Sequence, residues 1–141
     1  MKTKTIKQTV LFGASPKEVY DLIMESKKHK AFTGGVAKMS KKVKGKFETY
    51  DGYCYGYNIE LKEGKKIVQA WGFKENNWPE KYFSNVTFVF DKAKNGTKLS
   101  FTHSGVPAEN YKSLKTGWQD YYWAPMKNYL SSLKVSKKIG K

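Results

Sequence analysis

Arginine is absent from this sequence, and acidic residues are scarce. All 27 basic residues are lysines, which with 12 acidic residues give a formal net charge of +15. Proteins that read bases or phosphates specifically rely on the planar guanidinium group of arginine, which lysine does not reproduce. Because the lysines are also spread along the chain, we interpret them as a solvated surface and expect no specific nucleic-acid partner.

One cysteine and two histidines limit the chemistry that this chain can carry. Cys54 has no partner for an internal disulfide, and with His29 and His103 it forms no credible metal site. No two carboxylates are spaced in a way that suggests acid–base catalysis. We therefore expect a non-enzymatic protein with no catalytic residue, no metal and no cofactor.

Long apolar runs are also missing, which excludes a transmembrane helix. Residues 1–5 contain no apolar segment of signal-peptide length, so we expect a cytoplasmic protein. With 39% apolar and 16% aromatic residues, the chain has enough to bury for one globular domain, which we place at residues 1–134. Residues 135–141 lack an apolar period and are expected to form a disordered basic tail.

The stretch from Pro107 to Leu133 contains the clearest pattern in the sequence. Apolar residues recur there every three or four positions, which predicts one long amphipathic helix. They are Leu114, Trp118, Tyr121, Tyr122, Met126, Tyr129, Leu130 and Leu133. Pro125 lies inside this helix and supplies no backbone N–H, so we expect a kink there that frees the carbonyl group of Tyr121.

The preceding residues predict a mainly antiparallel sheet. An alternating strand at 3–12 is followed by a helix start at Ser15, Pro16 and Glu18, which has the form of a capping box, and by a second short helix at 26–32. Five further strands, joined by short turns, are expected at 45–50, 53–62, 65–73, 82–91 and 97–104. The residues thus predict an α+β fold: a curved antiparallel sheet of about six strands covered by the long C-terminal helix, with two short helices after the first strand.

Several stretches in this order resemble a known family. They are Ser15-Pro16-Lys17-Glu18-Val19-Tyr20, Ala31-Phe32-Thr33-Gly34-Gly35, Gly45-Lys46-Phe47 with Asp51-Gly52, Ile67-Val68-Gln69-Ala70-Trp71, Trp78-Pro79-Glu80, Gly96-Thr97-Lys98-Leu99, Gly105-Val106-Pro107, and Gly117-Trp118 with Tyr121-Tyr122. From about Thr5 to Leu133 the chain resembles the Aha-type domain, named for the activator of the heat shock protein 90 ATPase, of the START-like or SRPBCC superfamily. The resemblance implies a helix-grip fold, in which the sheet wraps around the long helix.

The resemblance also implies two functions. The first is binding of a small hydrophobic ligand in a cavity between the helix and the sheet, and the second is a co-chaperone role at heat shock protein 90. An enzyme of the cyclase or hydratase kind is a third alternative. In eukaryotic activators the domain is the C-terminal half, and a separate N-terminal domain makes the main chaperone contact. We expect the present sequence to lack that N-terminal domain and to be a monomer or weak dimer. It also has Gly72 at a position where many relatives have arginine.

Ten residues are candidates for the lining of such a cavity. They are Phe32, Phe47, Tyr57, Trp71, Phe88, Phe101, His103, Trp118, Tyr122 and Met126. The aromatic members either fill the core or line a partly open pocket, and His103 is either a polar anchor in the cavity or a histidine that fixes the corner between strand and helix. His29 is expected on the surface, and Cys54 on the strand face opposite Tyr53, Tyr55 and Tyr57.

Overall fold

The computed structural model describes the backbone of residues 1–139 and the side chains of residues 1–134. It has an α+β fold with one seven-stranded, curved antiparallel sheet and a long C-terminal helix, as the helix-grip prediction requires. In chain order the elements are β1 (Thr3–Phe12), α1 (Pro16–Met24), α2 (Ser26–Thr33), β2 (Lys38–Met39), β3 (Lys46–Thr49), β4 (Cys54–Lys62), β5 (Lys66–Phe73), β6 (Ser84–Ala93), β7 (Gly96–Pro107), α3 (Tyr111–Trp118), a π-helical turn (Gln119–Trp123) and α4 (Ala124–Ile139).

The sheet contains one strand more than predicted. In space the strands follow the order β1-β7-β6-β5-β4-β3-β2, so β1 joins the last strand of the sequence at one edge. The additional strand, β2, lies in a lysine-rich segment between α2 and β3, and it pairs Lys38 with Glu48 and Met39 with Phe47. A two-residue strand has no detectable alternation, which is why the sequence pattern did not reveal it.

The start of α1 confirms the predicted capping box. The Ser15 hydroxyl accepts a hydrogen bond from the Glu18 N–H at 3.2 Å, and the Glu18 carboxylate accepts from the Ser15 N–H at 3.4 Å. Two otherwise unpaired backbone donors are thereby satisfied. The helix then buries Val19, Leu22 and Ile23 against the sheet, each contributing about 1.5–3 kcal/mol of transfer free energy.

The tyrosines of strand β4 lie on the outer face of the sheet, and the opposite face of the strand packs against the core. Cys54, Gly56 and Asn58 are buried, whereas Tyr57 is 39% exposed on the outer face and packs against Phe83 with ring centroids 5.4 Å apart. The prediction that Tyr57 faces inward was therefore wrong. Tyrosine rings cover a sheet surface while keeping their hydroxyl groups in water, so alternation alone does not distinguish an inner from an outer tyrosine face.

The C-terminal helix is interrupted before Pro125, as predicted, and the interruption is a π-helical turn. The Ala124 N–H donates to the carbonyl of Gln119, five residues earlier, and the Tyr121 carbonyl instead accepts a hydrogen bond from the Tyr50 hydroxyl at 2.6 Å. The extra residue in a π turn rotates the helix face. Trp123, which lay outside the predicted apolar stripe, is consequently 1% exposed, whereas Tyr121 is 58% exposed.

The rest of the predicted apolar stripe is confirmed in part. Leu133 is 39% exposed and Tyr129 is half-buried, whereas the other members are buried: Leu114, Trp118, Tyr122, Met126 and Leu130. The predicted disordered tail at 135–141 falls on residues whose side chains, and for 140 and 141 also the backbone, lie outside the described residues, so it stays a prediction. Within the described part, no helix is long and apolar enough to cross a membrane.

Candidate functional site

A stack of aromatic rings fills the middle of the space between helix and sheet. The Trp118 ring lies 4.5 Å from that of Phe101 and 5.0 Å from that of Trp71, and the Trp123 ring lies 4.9 Å from Phe101, measured between centroids. Phe88 completes the group from β6, and all five side chains are buried. In this region the core-filling alternative describes the rings better than the pocket alternative.

His103 is fully buried beside this stack and uses both ring nitrogens. The Trp118 indole N–H can only donate, so it donates to Nδ1 at 3.0 Å, and Nε2 therefore carries the proton that it donates to the Ser84 hydroxyl at 2.7 Å. Ser84 in turn donates to the Trp71 carbonyl at 3.1 Å. Burial lowers the pKa of His103 to about 3, so the ring is neutral. The geometry favours the role of fixing the corner between β7 and the helix.

His29 is also buried, which overturns the prediction that it lies on the surface. Its Nδ1 donates to the carbonyl of Ile23 at 2.9 Å, and the unprotonated Nε2 accepts from the Tyr122 hydroxyl at 3.0 Å. A further hydrogen bond of 3.0 Å joins the hydroxyl groups of Tyr122 and Thr49. Burial lowers the pKa of His29 to about 4 and raises the pKa of Tyr122, so both groups are uncharged. They connect α2, the C-terminal helix and β3.

An open cavity of about 370 Å³ lies at one end of the aromatic stack. It is enclosed by α3 and the π turn on one side, and by the β3–β4 turn and the end of β5 on the other. Its walls are mostly apolar. The lining residues are Tyr50, Tyr53, Cys54, Phe73, Glu75, Ser113, Leu114, Gly117, Trp118, Tyr121 and Tyr122.

Two of the ten candidate residues, Trp118 and Tyr122, line this cavity. The other eight lie elsewhere: Tyr57 on the outer face of the sheet, and Phe32, Phe47, Trp71, Phe88, Phe101, His103 and Met126 in the packed core. The cavity thus forms beside the aromatic core instead of inside it.

The polar groups of the cavity are few and differ in character. The Glu75 carboxylate accepts hydrogen bonds from the Ser113 hydroxyl and, at 3.2 Å, from the Asn110 amide. The Asn110 amide also donates to the Asn76 carbonyl at 2.8 Å, which fixes its orientation. Burial raises the pKa of the Cys54 thiol to about 12, so the thiol is protonated and a poor nucleophile at neutral pH. Such walls suit noncovalent binding of an apolar molecule.

A metal centre is not among the sites that these side chains form. Within the described residues, no group of three histidine, cysteine, aspartate or glutamate side chains lies close enough to hold a metal ion.

Comparison with known proteins places the chain in a family. Residues 13–131 match the family described as "Activator of Hsp90 ATPase homolog 1-like protein". The chain belongs to this family. Among curated relatives of this activator-like family, the human activator of 90 kDa heat shock protein ATPase homolog 1 is 34% identical over 123 residues, which are 87% of this chain and 35% of the human protein.

Two further relatives agree with this placement. An activator homolog of Dictyostelium discoideum is 33% identical over 118 residues, which cover 83% of this chain and 30% of that protein. A crystal structure of an HSP90 activator from Plasmodium falciparum superposes with a TM-score of 0.83 at 27% identity, covering 90% of this chain and 96% of that one. The activator-like chain spans about a third of the length of the curated relatives it matches.

Sequence reasoning missed most of the cavity in this activator-like domain for an identifiable reason. Leu114 and Tyr121 belonged to the predicted apolar stripe with Trp118, and their spacing alone indicates a shared helix face. Tyr50, Tyr53 and Glu75 come from two connections between strands. No local sequence pattern predicts which end of the helix those connections contact, so their residues could not be assigned to the cavity.

Proposed function

We propose that this domain binds a small apolar molecule noncovalently in the cavity beneath the first turns of its C-terminal helix. The observation that supports this proposal is the cavity of about 370 Å³ bounded by the rings of Tyr50, Phe73, Trp118 and Tyr122. Small-molecule sites in proteins have volumes of about 300–1,000 Å³, so the space suits a compact ligand better than a long lipid.

The cavity walls can bind an apolar ligand, but the described residues that form them contain no group that is suited to catalysis. Apolar surface removed from water contributes about 25 cal/mol per Å². The Cys54 thiol is held protonated, and the buried histidines, His29 and His103, spend both ring nitrogens on fixed partners. We therefore propose binding without catalysis.

Gly117 offers a sharp test because it lines the cavity from within a helix. Outside the helix's own backbone, the nearest atom that a Cβ here would meet is a ring carbon of Tyr121 at 3.7 Å, an ordinary van der Waals contact, so the position has room for a Cβ atom. Gly117→Leu should fill part of the cavity while raising helix propensity, and Gly117→Ala should raise propensity with much less filling.

The measurement is a thermal-shift and calorimetric screen with fatty acids, sterols and small aromatic compounds. We expect compact apolar compounds to raise the Tm of the natural sequence, and the effect to persist in Gly117→Ala and vanish in Gly117→Leu. Binding that is unchanged in Gly117→Leu would contradict the proposal, and so would a screen in which no compound shifts the Tm.

A second proposed function is that of a co-chaperone in the cytoplasm, and family membership favours it. Relatives over most of this chain are named activators of the heat shock protein 90 ATPase, although the chain matches about a third of their length. The test is the ATPase rate of the chaperone from the same organism with increasing amounts of this protein. Stimulation that survives Gly117→Leu would assign chaperone contact to the surface, separately from the cavity. An unchanged rate, together with no complex in analytical ultracentrifugation, would exclude the role.

A further inference from the structure

We propose that the molecule bound in this cavity carries a positively charged amine or quaternary ammonium group, which sits between the Glu75 carboxylate and tyrosine rings. The inference rests on the proposed binding function and narrows it to one chemical class. Its starting point is a contrast in charge. The protein has a net charge of +15, yet the only charged side chain among the described residues that line the cavity is an acidic one.

The carboxylate of Glu75 is held in place by neighbours from the helix. Ser113 and Asn110 donate hydrogen bonds to different carboxylate oxygens, and Asn110 is itself 2% exposed and anchored to the Asn76 carbonyl. Both donors are neutral, so they fix the carboxylate without balancing its negative charge. No ion pair among the described residues includes Glu75. A fixed, uncompensated charge at the wall of an apolar space attracts an opposite charge more strongly than one in water.

The cavity's own titratable groups respond to this charge. Burial first, and the Glu75 charge next, raises the pKa of Tyr53. The same charge adds to the burial that raises the pKa of Cys54. Both groups line the cavity together with Glu75, so the carboxylate acts on groups from the β3–β4 side of the same space.

Aromatic rings line the same cavity as the carboxylate. Tyr50, Tyr53 and Tyr121 line the cavity together with Phe73 and Trp118. The Tyr50 and Tyr121 rings meet nearly at right angles, with centroids 5.7 Å apart and an interplanar angle of 77°. The negative faces of such rings attract ammonium groups, most strongly when the cation is removed from water. Rings and one carboxylate are the combination that recognises an amine with an apolar body.

The lysine-rich surface attracts anions, whereas the cavity is proposed to bind a cation. A test with probes of both charges therefore distinguishes surface binding from cavity binding. Long-range attraction by a net charge of +15 draws anions toward the protein, but salt screens it within about 8 Å at physiological ionic strength. An anionic compound that binds the surface should therefore be released by salt, whereas a cation held in the partly enclosed cavity should be retained.

The experiment compares three probes that share one phenylbutyl body: phenylbutyl-trimethylammonium, phenylbutanol and phenylpentanoate. Calorimetry at physiological ionic strength should give the ammonium compound about tenfold tighter binding than the carboxylate, with the alcohol between them. Glu75→Gln should remove this order, so that the ammonium compound no longer binds more tightly than the alcohol and the carboxylate. Glu80→Gln, which alters an exposed glutamate in the same loop, should keep the order.

A second variant tests the rings independently of the carboxylate. Tyr53 is exposed at the cavity rim, and Tyr53→Leu keeps an apolar side chain but removes the ring. The ammonium compound should lose affinity by about threefold or more relative to the alcohol in this variant.

The possible outcomes distinguish a wrong charge assignment from a wrong binding function. If the alcohol or the carboxylate binds as tightly as the ammonium compound and Gly117→Leu abolishes that binding, the charge assignment is wrong and the apolar cavity stands. If none of the three probes binds, the charge assignment is overturned, and the screen with fatty acids, sterols and aromatic compounds decides the binding function separately. A tenfold preference that persists in Glu75→Gln would also refute the role of this carboxylate.

Discussion

The hydroxyl oxygen of Tyr50 lies 2.6 Å from the main-chain carbonyl oxygen of Tyr121, and this hydrogen bond joins the β3–β4 turn to the π-helical turn. The carbonyl is free because Pro125 has no N–H to donate. Burial above all raises the pKa of Tyr50 to about 12, so its hydroxyl keeps its proton and remains a donor at neutral pH. The bond thereby closes one side of the cavity.

Removing this donor should destabilise the fold in a way that depends on the proline. We expect Tyr50→Phe to lower the free energy of unfolding by about 1 kcal/mol. In a Pro125→Ala background the loss should be smaller, because the restored N–H at position 125 can bond to the same carbonyl. Urea denaturation of the four proteins of this cycle measures the difference. Tyr57→Phe, on the exposed sheet face, is the control and should change stability by less than about 0.5 kcal/mol. Equal losses in both backgrounds would disprove the link.

Acid should destabilise the protein through its two buried histidines. Burial lowers the pKa of His29 to about 4 and that of His103 to about 3, from an ordinary 6.5. Between 6.5 and those values the unfolded chain binds more protons than the folded one, so stability is fully present above pH 6.5 and falls as the pH drops. Each histidine contributes a slope of up to about 1.4 kcal/mol per pH unit.

Single variants identify the origin of that slope. His29→Gln and His103→Asn cannot titrate, so each should reduce the pH dependence of the unfolding free energy between pH 6 and 4.5, although each also costs stability at pH 7. Equilibrium denaturation at several pH values provides the comparison. A slope unaffected by either change would mean that these rings are already accessible to protons in the folded protein.

The thiol of Cys54 should be almost inert toward alkylating reagents. With a pKa of about 12 against an ordinary 9.0, its thiolate is about a thousandfold rarer at neutral pH than that of an exposed cysteine. Labelling with iodoacetamide, followed by mass spectrometry, should therefore be at least about a hundredfold slower in the folded protein than in urea. Comparable rates in the two conditions would contradict the buried position of the thiol.

Two glycines on the same pair of strands should respond differently to alanine. A Cβ on Gly56 would lie 1.8 Å from the main-chain carbonyl oxygen of Ala70, so Gly56→Ala must push β4 and β5 apart and should cost more than about 3 kcal/mol. A Cβ on Gly72 would lie 2.4 Å from the ring of Tyr55, a half-buried side chain that can shift more easily than a backbone carbonyl. Thermal and urea unfolding should therefore show a cost below about 1 kcal/mol for Gly72→Ala. Similar costs would refute this distinction.

The sequence predicted those parts of the fold in which neighbours along the chain decide the outcome. The capping box at Ser15 and Glu18, the helical stripe from Leu114 to Leu130, and the freed carbonyl of Tyr121 all depend on residues within one or two helical turns. Their local chemistry was sufficient for the capping box and the freed carbonyl, and for the stripe except that Tyr121 and Leu133 are exposed and Trp123 is buried.

The errors arose where the deciding partner lies far along the chain. Helix α2 contains three lysines, which is typical of a surface helix. Its His29 is nevertheless buried and forms a hydrogen bond with Tyr122, 93 positions away. The same limit applies to the cavity, since Glu75 and Tyr50 meet the helix only through the tertiary fold. Trp118 and Tyr122 could be placed there because they already lay on the inward face of the helix.

The pairing of β1 with β7 has a consequence for how this protein is made. As the edge strand of the sheet, β1 has no hydrogen-bonded strand neighbour other than β7 within residues 1–139, and it pairs Phe12 with Thr97 and Thr3 with Pro107. A ribosome-bound chain therefore exposes the apolar residues of its first strand until nearly all of the sheet has been synthesised. Closing so long a loop is slow relative to forming the hairpins in between, so docking of the first strand should come late in folding.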